Sequence, residues 1–374
     1  MRSMKIHISL IVIFSLIIFL ITSLNSGFFQ TKLSFDEVDY VNASKKGIII
    51  NAIDGSDPSF LEFAKFGLAK YQNDYESIDR LTQTLTPEED QLFFMRHFHP
   101  PLPVYFWSFF VSNDSKLSDL KLRFSSVAFF VFFILTFLIM GNKSPNGSFS
   151  FSPIQALLVI SFFTSQIFFW SNSSLNFHIF HALACLFFSY SLQNFLVQSS
   201  KKNEWVLAFS IAGLFLTLET GVFVAFIGLL ILVFLKGLKY LISSDFIKIL
   251  LKGLLVLIMF WPGIIFSGGP LKSWLMYAYR IFGNANEEYS SVQILNNYKD
   301  LFLSNPIFLC LSILSLVIII YRKKTYQISF YVPAVLGLSY GIFLSPFILN
   351  FTYFIPALSL IIFALFNGLR NANV

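Results

Sequence analysis

Long apolar runs, one after another, decide what this chain can be. The first extends from about Ile8 to Leu24. Others follow at Phe124–Met140, Pro153–Trp170, Phe177–Val197, Val206–Leu218, Val222–Leu235, Ile249–Phe266, Pro306–Ile320, Ser329–Leu344 and Phe351–Asn367. A helix that crosses the hydrocarbon core of a bilayer needs roughly 20 predominantly apolar residues, and several of these runs are shorter. The pair Val206–Leu218 and Val222–Leu235 reads as two short helices with Glu219-Thr220-Gly221 as their turn. Composition agrees with the runs: the chain is 56% apolar and only 12% charged, with 49 Phe, whereas a soluble domain carries about 25% charged residues. The fold expected is an all-α polytopic membrane protein of about ten transmembrane helices, with residues 1–374 forming a single domain.

Where the charges sit gives an orientation and argues against nucleic acid as a partner, despite a net charge of +6. Met1-Arg2-Ser3-Met4-Lys5 before the first run resembles the start of a signal peptide. That run is long enough to span, shows no marked small-residue cleavage site, and precedes many further spans, so it reads as a retained first helix. With the N-terminus cytoplasmic, the cytoplasmic loops hold Arg2, Lys5, Lys143, Lys201, Lys202, Lys236, Lys239, Lys248, Arg322, Lys323, Lys324 and Arg370. The short outer turns at Asn172–Asn176, Glu219–Gly221 and Ser345–Asn350 hold no Lys or Arg, as the positive-inside bias demands. The bias survives only if the apolar segment Pro101–Val111, far too short to cross, lies along the interface or re-enters. Two external loops follow, about 25–122 and about 267–300. The first carries fourteen of the twenty acidic residues, from Asp36 to Asp119, and helical spacing of Phe60, Phe63, Phe66 and Leu68 suggests an interfacial helix.

Four constellations carry chemistry-bearing side chains. Phe35-Asp36-Glu37-Val38-Asp39-Tyr40 sets three carboxylates just beyond the first helix; they are a solvated loop start, or a general base or metal ligand facing a cavity at the membrane boundary. Arg96-His97-Phe98-His99-Pro100-Pro101-Leu102 follows, in which His97 and His99 are a weak metal signal and Arg96 suits a phosphate. Arg123, in Leu120-Lys121-Leu122-Arg123-Phe124, opens the second span, where snorkelling alone also accounts for a basic residue. The turn from Trp170 to His178 holds Asn176 and His178, with His181 one turn deeper on the same helix face. Cys185 and Cys310 lie inside apolar runs and read as small core residues.

Taken in order, the Asp-Glu pair after the first helix, the His-Pro-Pro-Leu with its aromatics, and the Arg of the second span resemble the polyprenyl-phosphate-sugar-dependent membrane glycosyltransferases of the C-type fold. The likeness is nearest to bacterial relatives of the protein O-mannosyltransferases and the lipid A aminoarabinose transferase. Phe351-Thr352-Tyr353-Phe354-Ile355-Pro356-Ala357 resembles that family's last span, with Thr352 where an Arg is common. The likeness covers Leu24 to about Val197 well and the rest in outline. It implies catalytic roles for Asp36 and Glu37, and a substrate site of Arg96, His97, His99, Arg123, Asn176, His178, Lys272, Arg280 and Tyr353. It implies a sugar donor on a polyprenyl phosphate, an acceptor that is lipid, glycan or protein, and an active site on the outer face of a bacterial inner membrane. Related branches differ in their use of a divalent metal, so the metal stays open. The rival class is a transporter or flippase of lipid-linked sugars, which usually keeps ionisable residues near the midplane of its spans; here the runs are nearly free of charge.

Overall fold

The structure is a computed structural model that describes residues 6–30, 33, 35–55, 60–72, 74, 76, 99–112, 115–142, 150–269, 271, 272, 296, 299, 303, 306–321, 328–344 and 351–372. Helix α1 (Ile8–Asn25) is followed by α2 (Phe35–Lys45), α3 (Gly47–Ile53), α4 (Phe60–Tyr71) and α5 (Leu102–Ser108), all within the first loop. Then come α6 (Ser115–Gly141), α7 (Pro153–Phe163), α8 (Gln166–Ser173), α9 (Phe177–Val197), α10 (Lys201–Thr217) and α11 (Gly221–Lys236). The chain continues through α12 (Ser244–Phe260), α13 (Gly263–Phe266), α14 (Pro306–Tyr321), α15 (Ile328–Leu344) and α16 (Ile355–Ala372). Among the described residues the protein is helical but for two short strands, β1 (Ile6–His7) and β2 (Ser150–Phe151), which pair antiparallel with Ile6 opposite Phe151.

Among the described residues, Ile8–Asn25, Asp119–Gly141 and Phe177–Val197 are long and apolar enough to cross a membrane. The pair α7–α8, bent by 48°, adds a fourth if it is one broken span. These helices mark the chain as membrane-associated. Gly221–Lys236, Ile328–Ile342 and Ile355–Leu369 are apolar but shorter. Each apolar run read from the sequence falls in one helix or a broken pair. Helix α6 begins at Ser115, ahead of the apolar run read from Phe124, and the run Ile249–Phe266 breaks at Trp261-Pro262.

The helix starts are set by local chemistry. Ser152 accepts from the Gln155 amide while Gln155 Oε1 accepts from the Ser152 N–H, a reciprocal capping box with Pro153 at the first helical position. Ser165, Asn176, Ser200 and Ser243 cap α8, α9, α10 and α12 with side-chain oxygens that satisfy amides otherwise left unpaired at a helix N-terminus. The Ser165 cap is also what breaks the α7–α8 run.

Packing follows residue size. α15 carries Gly337 and Gly341 four apart, and a Cβ at Gly337 would stand 2.9 Å from the Ala357 carbonyl of α16. Such small-residue stripes let helix backbones approach where lipid offers no hydrophobic drive for association. Phe130, Phe133, Phe137, Phe163 and Phe168 interlock edge to face between α6, α7 and α8, the arrangement the ring quadrupole favours.

The connections sort to two ends. At one end, Ile6–His7 pairs with Ser150–Phe151, Lys236 Nζ donates to Ser199 Oγ at 2.7 Å, and Lys252 meets Glu204 at 2.6 Å. At the other, the first loop meets the turns α8–α9, α10–α11 and α12–α13. That second end holds the candidate site.

Candidate functional site

The site is built around α2, which starts ten residues after the end of α1. Glu37 is 5% exposed and Arg123 3%. Arg123 Nη1 donates to Glu37 Oε1 at 3.1 Å and to the Ser173 carbonyl at 3.0 Å, while the Leu175 amide donates to the same Glu37 oxygen at 3.0 Å. The guanidinium also stands 5.1 Å above the Phe28 ring. One buried ion pair therefore ties α2, α6 and the α8–α9 turn together. Two buried charges lose several kcal/mol each by leaving water, so a pair like this is held by its added hydrogen bonds as much as by attraction.

Asn176 caps α9, accepting from the His178 amide at 2.8 Å, and Asn172 donates to the Ser126 carbonyl at 2.8 Å. The His178 ring lies 4.1 Å from that of Tyr353, so the chain's last apolar segment reaches the site. Phe177, between them, packs edge-on to Tyr40 and Trp107. The short helix α5, which follows Pro100-Pro101 and is far too short to cross a bilayer, presents Trp107 to Tyr40 of α2 in a stacked pair at 5.8 Å.

His99 closes this aromatic group from the other side, 4.8 Å from the Phe177 ring. Its Nδ1 donates to Glu219 Oε1 at 2.7 Å. Glu219 is 8% exposed and stands in the α10–α11 turn. Sequence reasoning treated that acid as part of a turn; its signal was being the only carboxylate between Glu204 and Asp245. Beneath it runs a closed chain of hydrogen bonds. Thr217 Oγ1 has the Gly213 and Leu214 carbonyls within 3.0 and 3.1 Å and so donates there, which leaves it to accept from His181 Nδ1 at 2.9 Å. Thr220 then donates to His181 Nε2 at 3.3 Å and accepts from the Tyr340 hydroxyl at 2.9 Å.

Asp54 is the other residue the sequence did not single out. It caps α3 in the left-handed conformation (φ 53°) and is buried. Both its oxygens lie 3.0 Å from Trp261 Nε1, and Ser267 Oγ donates to Oδ2 at 2.6 Å. Gly263 and Gly269 approach so closely that a Cβ at either would strike the Asp54 carboxylate. The contact fastens the first loop to the end of α12.

Of the residues singled out from sequence, Glu37, His99, Arg123, Asn176, His178 and Tyr353 gather at one end of the bundle. Lys272 is fully buried just beyond the Ser267 contact. Arg96, His97, Arg280 and the side chain of Asp36 lie outside the described residues. Among the described residues no group of three or more His, Cys, Asp or Glu is disposed to hold a metal ion. No family model, curated protein or solved structure matches the chain.

Proposed function

We propose that the chain transfers a sugar from a polyprenyl-phosphate-linked donor to an acceptor hydroxyl at the outer face of the membrane. The observation that supports this reading is the convergence at one end of the bundle. Residues that are far apart in sequence meet at Ser173–His178: Glu37 and Arg123 through Leu175 and Ser173, His99 through Phe177, and Tyr353 through His178. In this reading about ten helices span a bacterial inner membrane, the N-terminus is cytoplasmic, and the acceptor (lipid, glycan or protein) approaches from the periplasm.

The reaction is an inverting single displacement. The acceptor oxygen attacks the anomeric carbon, the C–O bond to phosphate breaks, and the phosphate leaves with the bonding electrons. Asp36 takes the acceptor's proton as general base. Glu37 is committed to Arg123 and Leu175, so its part is to hold the start of α2 in place. Arg123 is neutralised by Glu37, which leaves Arg96, Lys272 and Arg280 as the cations for the departing phosphate.

The test is transfer of radiolabelled sugar from a polyprenyl-phosphate donor by membranes holding equal amounts of wild-type and Asp36→Asn protein. Asp36→Asn should insert normally and lose about 10²–10⁴-fold in rate. Equal rates remove Asp36 from the chemistry, and donor translocation without transfer by wild-type protein replaces this reading by transport.

A further inference from the structure

Helix α3 reads Gly-Ile-Ile-Ile-Asn-Ala-Ile, seven residues with one polar side chain. That side chain, Asn51, is buried, and its Nδ2 donates to the Ala43 carbonyl at 2.7 Å and the Gly47 carbonyl at 2.8 Å. Ile48, Ile49, Ile50 and Ile53 are all exposed, Ile49 to 76%. At about 100° per residue they fill one arc of roughly 200°, with Asn51 opposite its centre. The helix therefore turns its polar group inward and branched aliphatic side chains outward, the reverse of a surface helix in water.

Its place in the fold says what meets those isoleucines. Asp54, at the C-cap of α3, accepts from Trp261 and Ser267, which bracket α13. Gly263 comes so close to α3 that a Cβ there would stand 3.1 Å from the Ala52 carbonyl. The Tyr105 hydroxyl of α5 donates to the Phe260 carbonyl at 2.6 Å, so the first loop is fastened to the end of α12 from α5 as well. Every exposed residue of α12 from Leu250 onward is apolar: Leu250, Leu251, Leu254, Leu255, Met259 and Phe260. Exposure continues at Ile265 and Phe266 of α13, which packs against α3. Apolar surface thus follows the contacts from α12 through α13 to α3.

Helix length points the same way. The exposed pair Asp245–Lys248 marks the polar start of α12. From Asp245 to Phe260 the helix rises about 22 Å, at about 1.5 Å per residue, against roughly 30 Å of hydrocarbon in a bilayer. Alone, α12 leaves the last part of that thickness unfilled, and the elements joined to its end are α13 and α3. Apolar residues exposed singly call for no explanation, whereas a contiguous patch marks a contact surface.

We infer that α3 is seated in the lipid leaflet at the candidate-site end, with Ile48, Ile49, Ile50 and Ile53 among acyl chains, and that the Asp54 contact holds it there. This lipid contact is independent of sugar transfer and of which face of the membrane the site occupies. A first loop anchored in this way keeps the candidate site at the surface of the bilayer.

The test uses full-length protein with Cys185 and Cys310 replaced, reconstituted in vesicles of phosphatidylethanolamine and phosphatidylglycerol. One nitroxide is attached at Ile49→Cys, Ile53→Cys, Leu254→Cys or Lys45→Cys. Power saturation compares collision with oxygen, which concentrates among acyl chains, and with a water-soluble nickel chelate. The oxygen-to-nickel ratio at Ile49→Cys and Ile53→Cys should approach that at Leu254→Cys and exceed that at the exposed Lys45→Cys several-fold. A ratio like that of Lys45→Cys shows a water-facing helix and overturns the inference. Poor access for both reagents overturns it too, because another segment or a second copy of the chain then covers α3. Nickel access at Leu254→Cys does the same, since α3 continues the face of α12. Asp54→Ala added to Ile49→Cys should raise nickel access there and, added to Leu254→Cys, change nothing. An unmoved Ile49→Cys removes Asp54 from the anchoring.

Discussion

At the scale of single residues the decisive pair is Glu37 and Arg123, because each is buried and each is the other's counter-charge. Removing one partner of a buried pair strands the other, at a cost of about 3–5 kcal/mol. Glu37→Gln and Arg123→Met should therefore each lower the thermal stability of the detergent-solubilised protein, and the double substitution should recover part of the loss. If both single variants melt with the wild type, the pair is not closed in the folded protein. Arg123→Lys tests geometry separately: it keeps the charge but gives up the planar fork, which here serves Glu37 and the Ser173 carbonyl from one nitrogen. Asp36→Asn, by contrast, is expected to lose transfer while melting normally, which separates chemistry from architecture one residue apart. The types and places of Glu37, Arg123 and His99 were legible in the sequence. Their partners were not: Glu37 and Arg123 stand 86 positions apart, and nothing local shows that an acid at a loop start turns inward to a span.

Elements were legible where local chemistry writes them. The apolar runs mark the long helices of the bundle, and α2 and α3 escaped notice because polar residues and a short length hide their period. What the runs do not reveal is contact between helices, which depends on small residues at matching heights. α15 and α16 illustrate it. A Cβ at Gly337 would meet the Ala357 carbonyl at 2.9 Å and side-chain carbons of Ile361 and Leu360 at 3.0 Å, all on the facing helix. Gly337→Ala should then cost about 1–3 kcal/mol by overpacking, and Gly337→Leu should part the two helices. Gly213→Ala, where nothing stands within 4 Å, is the control. Thermal unfolding in one detergent compares the three, and equal midpoints for Gly337→Leu and Gly213→Ala would show that α15 and α16 do not meet at this face. The Asp54 contact is the corresponding joint between the first loop and α12. There Asp54→Ala should expose the Trp261 indole, read as faster exchange of its N–H.

For the molecule as a whole, charge pattern and contacts agree in which segments they bring together. Positive charge in the short loops groups the N-terminus, the α9–α10 turn and the α11–α12 turn on one side, the cytoplasmic side in the proposed reading. Contacts that involve few of those charges sort the same segments together: β1 with β2, Lys236 with Ser199, and Lys252 with Glu204 at one end. The first loop with the turns holding Ser173, Glu219 and Ser267 gathers at the other. Lysines such as Lys45 and Lys46 in the first loop do not oppose this, since loops longer than about 60 residues translocate largely regardless of charge. Cysteine labelling in intact cells tests the result, after Cys185 and the exposed Cys310 are replaced. Ser26→Cys and Ser112→Cys should react with an impermeant maleimide, and Lys201→Cys and Lys239→Cys only once the membrane is opened. The reverse pattern inverts the molecule and moves the candidate site to the cytoplasm. A split within either pair breaks the grouping of the ends, because each pair is drawn from segments that share one end of the bundle. The expected pattern puts Glu37, His99 and Glu219 on the face that a periplasmic acceptor can reach, which the proposed transfer requires.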